Sequence, residues 1–258
     1  MDLGITGKVA LVTGGSRGLG KQAALALARE GCRVAVCARN TQQLEQVINE
    51  LQQVNPNSVG FQADVTTIEG CNTFYSRATE TLGAADILVN NVGGTSGGRE
   101  FDTTTDEDWA ATLNLNLFSA IRMMRIVLPH MKEGNWGRIV NVASLFGREY
   151  GGALSYMTTK AALIAFSKHM ALSLAAYNVL VNTISPGSIT FPGGRWDDFQ
   201  KNNTPDVVHE FISRNLPMGK FGWPEPIGEL IAFLCSEKAD LITGASIGID
   251  GGQAKSLI

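Results

Sequence analysis

Short apolar, β-rich runs alternate along this chain with longer stretches whose apolar positions recur every three or four residues. The runs predict strands at Val9–Thr13, Arg33–Cys37, Val59–Ala63, Ile87–Asn90, Arg138–Ala143, Leu180–Ile184 and Ser246–Asp250. The helical periods predict helices over Gly18–Glu30, Thr41–Gln53, Ile68–Leu82, Asp106 to about Lys132, and Ser155–Tyr177. In the second of these, Leu44, Val47, Ile48 and Leu51 share one face. The fourth opens with Thr-Thr-Asp-Glu-Asp, whose acids suit a helix N-terminus. Nearly all-apolar strands alternating with helices predict an α/β fold, a parallel sheet of seven strands with helices on both faces. No internal repeat or linker divides the pattern, so residues 1–258 read as one domain.

The interval 188–217 breaks the alternation. It is rich in Gly, Pro, Asp and Asn, with Phe191, Trp196, Phe199 and Phe211 interspersed. An irregular excursion with large apolar side chains, placed after a strand's C-terminal end, predicts a lid over a ligand site.

Composition narrows the class without changing the fold. Apolar residues make up 44% and charged residues 17% of the 258 positions, as in a globular protein. A net charge of −3 gives no general attraction to nucleic acid or to anionic membranes. No run reaches the ~18 apolar residues that cross a bilayer. The opening Met-Asp-Leu-Gly-Ile-Thr-Gly-Lys lacks the basic-then-apolar order of a secretory signal, so a cytoplasmic location is expected. Cys32, Cys37, Cys71 and Cys235 form no C-x-x-C pair, and no histidine stands at ligand spacing from them. They read as buried free thiols, and no metal is expected.

Three sequence features carry chemistry. Thr13-Gly-Gly-Ser-Arg-Gly-Leu-Gly20 joins the first strand to the first helix. Its glycines allow a sharp turn and a close backbone approach to a pyrophosphate at the helix N-terminus. The second strand ends in Val-Cys-Ala-Arg-Asn40, with no acid to hold free ribose hydroxyls. Arg39 and Arg17 are placed to converge on a 2′-phosphate, which favours NADP(H). Asp64 and Val65 end the third strand, where a carboxylate can meet an adenine amino group. At the end of the fourth, Asn91 and Gly93 are expected near the cofactor and Asn90 in a structural role. Finally, Tyr156 and Lys160 lie four apart, on one helix face. A cation beside a phenol favours the phenolate and brings its pKa of about 10 toward the working range.

Together these residues closely resemble the short-chain dehydrogenase/reductase family, in its compact single-domain branch, across essentially the whole chain. The glycine turn Thr13–Gly20, Asn90-Asn-Val-Gly93, Asn116, Ser144, the Tyr156/Lys160 pair, Pro186-Gly187 and the terminal Thr243–Gly252 occur in that family's order. The resemblance implies a Rossmann-type doubly wound fold and a hydride exchanged between a nicotinamide and a ketone or secondary alcohol. It makes Tyr156 the general acid/base and Lys160 the residue that lowers its pKa and bonds the nicotinamide ribose. Ser144 holds the substrate oxygen, and Asn116 helps position a water that passes protons toward Lys160. Cofactor contacts are implied at Gly14, Ser16, Arg17, Gly18, Leu19, Arg39, Asp64, Val65, Asn91, Gly93, Tyr156, Lys160, Pro186, Gly187 and Ile189. Relatives often carry a threonine soon after Pro-Gly; here either Thr190 or Phe191 meets the cofactor. The substrate wall is expected to include Ser144, Phe146, Tyr150, Tyr156, Phe191 and Trp196, with Arg148 and Glu149 either on that wall or as solvated charges at its rim.

The closest pattern is that of 3-oxoacyl-[acyl-carrier-protein] reductases. Their basic docking positions match Asn135 and Tyr177 here, neither charged, with only Arg138 close by. A carbonyl reductase or alcohol dehydrogenase is therefore the leading expectation. A carrier-protein reductase or a sugar/polyol dehydrogenase follows. The rival from another class, a non-catalytic dinucleotide sensor, fits poorly because all four catalytic positions are kept. Leu113, Leu117, Met123, Met124, Leu163, Phe166 and Met170 leave apolar residues on more than one helix face. With the family's habit of pairing these helices, a homodimer or homotetramer is expected.

Overall fold

A computed structural model describes residues 2–257. One sheet runs through it, its strands all parallel in the order β3-β2-β1-β4-β5-β6-β7. The strands are β1 (Val9–Thr13), β2 (Arg33–Ala38), β3 (Val59–Gln62), β4 (Ile87–Asn90), β5 (Gly137–Val142), β6 (Val179–Pro186) and β7 (Ser246–Ile249). Every residue of β1, β4, β5 and β6 is buried, as strands covered on both faces must be. This is the seven-stranded, doubly wound α/β architecture that the alternation predicts.

Helices cover both faces. On one, α1 (Gly18–Arg29), α2 (Thr41–Val54) and α9 (Glu225–Leu234) enclose an apolar layer that includes Val12, Leu27, Val36 and Ile231. On the other, α3 (Ile68–Leu82), α5 (Ser119–Glu133) and α6 (Leu154–Leu174) enclose Leu11, Phe74, Met123 and Val181. The helix α9 is absent from the sequence prediction, although Ile227, Leu230, Ile231 and Leu234 repeat at helical spacing after Pro224 and Pro226. It crosses α1 tightly: a Cβ at Gly228 would stand 2.5 Å from the Gln22 carbonyl oxygen.

The long helix predicted from Asp106 is not continuous. It comprises α4 (Asp106–Leu113), a π-helical turn over Asn114–Phe118, and α5. The start of α4 carries the expected acids, and Thr105 and Asp108 close a reciprocal capping box. A π turn widens the helix and re-aims its side chains, and here it carries Asn116. The predicted helix to Tyr177 ends as α6 at Leu174, followed by a 3₁₀ turn over Ala175–Tyr177.

The interval 188–217 also differs from its prediction. It holds two helices, α7 (Arg195–Asn202) and α8 (Pro205–Asn215). Thr204-Pro205 is a helix-start signal, and Val208, Phe211 and Ile212 follow at helical spacing. The rings of Trp196, Phe199, Phe211 and Phe221 pack on one another with centroids 4.8–6.5 Å apart.

Most of the helix residues expected to await a partner are spent inside the protomer. Met123, Met124 and Leu163 are buried, and Phe166 and Met170 pack against the core. Phe118 and Leu172 face outward instead. All four cysteines are buried free thiols, and burial pushes Cys32 and Cys37 up to about 12. Among the described residues, no helix is long and apolar enough to cross a membrane.

Candidate active site

The sheet order reverses between β1 and β4, and a crevice opens beyond the C-terminal ends of strands at such a point. Here it is a cleft of about 920 Å³, lined from Arg39, Asn40 and Asp64 at one end to Ser144, Tyr156, Phe191 and Trp196 at the other. Most predicted site residues line it. Gly18 and Asn116 lie in its supporting structure, and Tyr150 lies outside it.

The glycine turn is held by the end of β4. Asn91 donates from Nδ2 to the carbonyls of Thr13 and Gly14, both at 3.0 Å, and from its backbone N–H to Thr13 Oγ1. A Cβ at Gly20 would stand 2.4 Å from Asn91 Nδ2 and from the Gly14 carbonyl, so only glycine lets helix α1 start this close. Asn90 points into the sheet, donating to Asn141 Oδ1 at 2.8 Å, in the structural role expected of it. At the far end, Asp64 Oδ1 accepts from the backbone N–H and hydroxyl of Thr66, which fixes its orientation beside Val65.

The reacting end is built on β5 and α6. Ser144 follows β5; its Oγ accepts from Phe146 N–H at 3.2 Å and is hydrogen-bonded to Tyr156. Lys160 is buried and donates from Nζ to the Val142 carbonyl at 2.7 Å, with its Nζ 5.7 Å from the centre of the Tyr156 ring. Asn116 lies beneath, donating from Nδ2 to the carbonyls of Gly94 (2.7 Å) and Thr112 (2.9 Å) and accepting from Gly94 N–H. Both of its amide hydrogens are thus spent on backbone. Gly93 fits between these groups only without a side chain, for its Cβ would stand 2.8 Å from Lys160 Nζ and 3.0 Å from Asn116 Oδ1.

The electrostatics depart from the sequence expectation. Burial holds the Tyr156 hydroxyl above the ordinary tyrosine range, against the opposing pulls of the Ser144 hydrogen bond and the charge of Arg195. Burial also brings Lys160 down to about 7. Near neutral pH the lysine is therefore only partly charged and does not act as the strong cation expected to draw the phenol down. Desolvation outweighs proximity here. The cation that does bear on Tyr156 is Arg195, which lines the cleft. Sequence reading missed it because α7 was not predicted.

The substrate wall needs a correction at Tyr150, and of the two readings open for Arg148 and Glu149 the wall is excluded. Tyr150 is almost fully exposed and does not line the cleft. Glu149 turns away and accepts from the backbone N–H groups of Lys255 and Ser256. Arg148 lies with Nη1 against Gly248 of β7. The cause is local: Gly151 and Gly152, at φ +148° and +75°, fold the chain past the Phe146 ring, leaving Phe146 inside and its followers outside. Thr190 accepts from Gln200 Nε2, whereas Phe191 lines the cleft with its ring against Gly18.

The cleft suits an elongated dinucleotide. Glycine-containing turns flank it, and the end of β2 presents Cys37, Ala38, Arg39 and Asn40 without an acid. Among the described residues, the Arg39 guanidinium has no hydrogen bond or ion pair. Arg17 is engaged differently from expectation: its Nη1 donates to the Gly193 carbonyl at 2.7 Å, tying the glycine turn to the segment above it.

Comparison with known proteins gives the class. The family model described as short chain dehydrogenase matches residues 8–200. The chain belongs to the short-chain dehydrogenase family, whose members are oxidoreductases using nicotinamide cofactors. It is 32% identical to a 3-oxoacyl-[acyl-carrier-protein] reductase of Thermotoga maritima over 250 residues, covering 96% of this chain and 98% of that one. It is 30% identical to the 7alpha-hydroxysteroid dehydrogenase of Escherichia coli, covering 99% and 98%. Among solved structures, L-sorbose reductase of Gluconobacter frateurii, complexed with NADPH and L-sorbose, superposes with a TM-score of 0.92 at 33% identity over the whole of both chains. A 7α-hydroxysteroid dehydrogenase complexed with NADH superposes with a TM-score of 0.89 at 29% identity, over 100% of this chain and 98% of that one.

Proposed function

We propose that this protein is an NADP(H)-dependent carbonyl reductase, acting in the opposite direction as a secondary-alcohol dehydrogenase, with Tyr156 as its general acid/base. The observation that carries the reading is the convergence of Ser144, Tyr156 and Lys160 at one end of a cleft at whose other end β2 finishes in Arg39 and Asn40 rather than in an acid. The nicotinamide, when bound, supplies or accepts the hydride. Ser144 holds the substrate oxygen and keeps the Tyr156 hydroxyl aimed at it. Tyr156 stays a phenol at neutral pH, which suits proton donation to a carbonyl. Lys160, near 7, is poised to return that proton. Asn116 fixes Gly93–Gly94 against Lys160 and so sets the lysine's position. Arg39 holds a ribose 2′-phosphate, Asp64 the adenine edge, and Gly187 and Ile189 the nicotinamide carboxamide.

Residues 188–217 form the substrate lid, resting on the glycine turn through Arg17 and Phe191. We assign the molecule to a single domain that works in the cytoplasm as a dimer or tetramer, on small molecules rather than on a carrier protein. Arg138 supports that last point. It is fully buried, with Nη2 on Asp240 and Nη1 on the carbonyls of Gly137 and Asn178, and it stacks on Trp136. It offers no charge to an acidic partner, whose docking depends on such charges.

The test is NADPH oxidation against a panel of ketones by the wild type and Tyr156→Phe. The variant is expected to bind NADPH normally, followed by fluorescence, and to lose about 10²- to 10⁴-fold in kcat. Full turnover by Tyr156→Phe would sink the mechanism.

A further inference from the structure

The charges lining the cleft are unevenly spread. Among the described residues Asp64 is its only acid, and it stands at the adenosine end beside Val65 and Thr66. Arg17 is tied to the Gly193 carbonyl, and Lys160 to the Val142 carbonyl. At the reacting end stands Arg195, the first residue of α7. Its guanidinium lies over the face of Trp196, 5.6 Å from the ring centre. Among the described residues it has no hydrogen bond and no ion pair. The nearest acids in sequence do not neutralise it: Asp197 accepts from Gly193 N–H and Lys201 Nζ, and Asp198 is exposed. A planar cation thus stands over an aromatic face at the exposed rim of the cleft, within electrostatic reach of Tyr156 and without a hydrogen bond or ion pair among the described residues.

A free cation at the mouth of a cleft favours an anion there, and a guanidinium fork matches a carboxylate. The walls around it, Phe146, Phe191 and Trp196, are apolar and half-buried, so they accept a carbon skeleton but not a second charge. Resting on the carbonyl-reductase reading above, we propose that Arg195 is the subsite for an anionic group of the substrate. The preferred substrates are then ketones or secondary alcohols that carry a carboxylate. Arg195 acts on selection and orientation; the proton and hydride steps remain with Tyr156 and the nicotinamide.

The bound cofactor's diphosphate offers the same anionic chemistry, and the experiment separates the two sources. Benzoylformate and its methyl ester, and acetoacetate and its ethyl ester, are reduced with NADPH by the wild type, Arg195→Gln and Arg195→Lys. The wild type is expected to prefer each acid over its ester in kcat/KM. In Arg195→Gln the acid-to-ester ratio falls by about 10- to 100-fold, mainly through KM. Arg195→Lys restores part of the ratio, and the Kd of NADPH stays within about twofold of the wild type's. An unchanged acid-to-ester ratio overturns the proposal, and so does a rise in the Kd of NADPH that accounts for the whole effect.

Calorimetric titration of benzoylformate into the enzyme–NADP complex needs no turnover. Binding by the wild type that weakens at least about tenfold in Arg195→Gln supports the subsite; no binding by the wild type overturns it. Turnover of esters without any preference for acids sinks the subsite alone. Absence of NADPH-linked turnover on every ketone sinks the underlying reading instead.

Discussion

The two walls of the cleft are made differently. The wall on β5 and α6 is part of the core: Ser144, Lys160 and Asn116 are buried, and each is fastened to backbone at 2.7–3.2 Å. The opposite wall, residues 188–217, holds together through three half-buried rings, Trp196, Phe199 and Phe211, that pack on the buried Phe221 just beyond it. A few polar ties join it to the rest, notably Arg17 to Gly193 and Gln253 to Ser188. The first wall is rigid because its polar groups have no water to fall back on. The second is anchored at its ends, where Ser188, Ile189 and Leu216 are buried, but its middle rests on half-buried rings, contacts of the kind that open at lower cost. We read the fixed wall as setting the reaction and the movable one as choosing the molecule.

That contrast can be broken at several points. Replacing Lys160 by Ala removes a buried group from the fixed wall and is expected to lower kcat by about 10²-fold or more, measured in single-turnover NADPH oxidation. An effect confined to KM would erase the distinction between the walls. Arg39→Ser tests the far end of the cleft. It should cut kcat/KM with NADPH by about 10- to 100-fold and leave NADH within about threefold, read in parallel assays. On the movable wall, Phe211→Ala should raise KM severalfold and lower Tm by a few degrees in a thermal melt, with kcat nearly kept.

The smallest effect is on pH dependence. Lys160 titrates at about 7 in the fold against an ordinary 10.5. Between those values the unfolded chain keeps a proton that the folded chain has released, so stability rises with pH across the window. Melts from pH 7 to pH 9 should show the wild type gaining on Lys160→Met. A gap that stays constant would place the lysine in a more hydrated setting.

Much of the fixed wall was legible in the chain. Thr13–Gly20 and Tyr156/Lys160 are local patterns whose geometry follows from one turn and one helical period. The sheet was legible for the same reason, since strands buried on both faces have to be nearly all apolar. What escaped depends on contacts distant in sequence or on backbone detail. Tyr150 stands only six residues from Ser144, yet two glycines at positive φ carry it outside. Asn116 reads as a mid-helix residue until a π turn places it under Gly94. Arg195 and α7 were hidden by the Gly- and Asp-rich composition around them, which resembles a loop until the aromatic rings are seen to pack. The electrostatic expectation failed because burial, which sets the Lys160 value, is a property of the fold and not of the i, i+4 spacing.

Glu149 carries a practical consequence. Its carboxylate catches the backbone of Lys255 and Ser256, more than a hundred residues further along the chain. The same short loop carries Ser144 and Phe146. The segment at Lys255–Ser256 is therefore coupled to the loop that carries the Ser144 hydroxyl, far from it in sequence. A substitution at Lys255 or Ser256 that turns the backbone away from Glu149 would be felt at that loop before it was felt anywhere nearer in sequence.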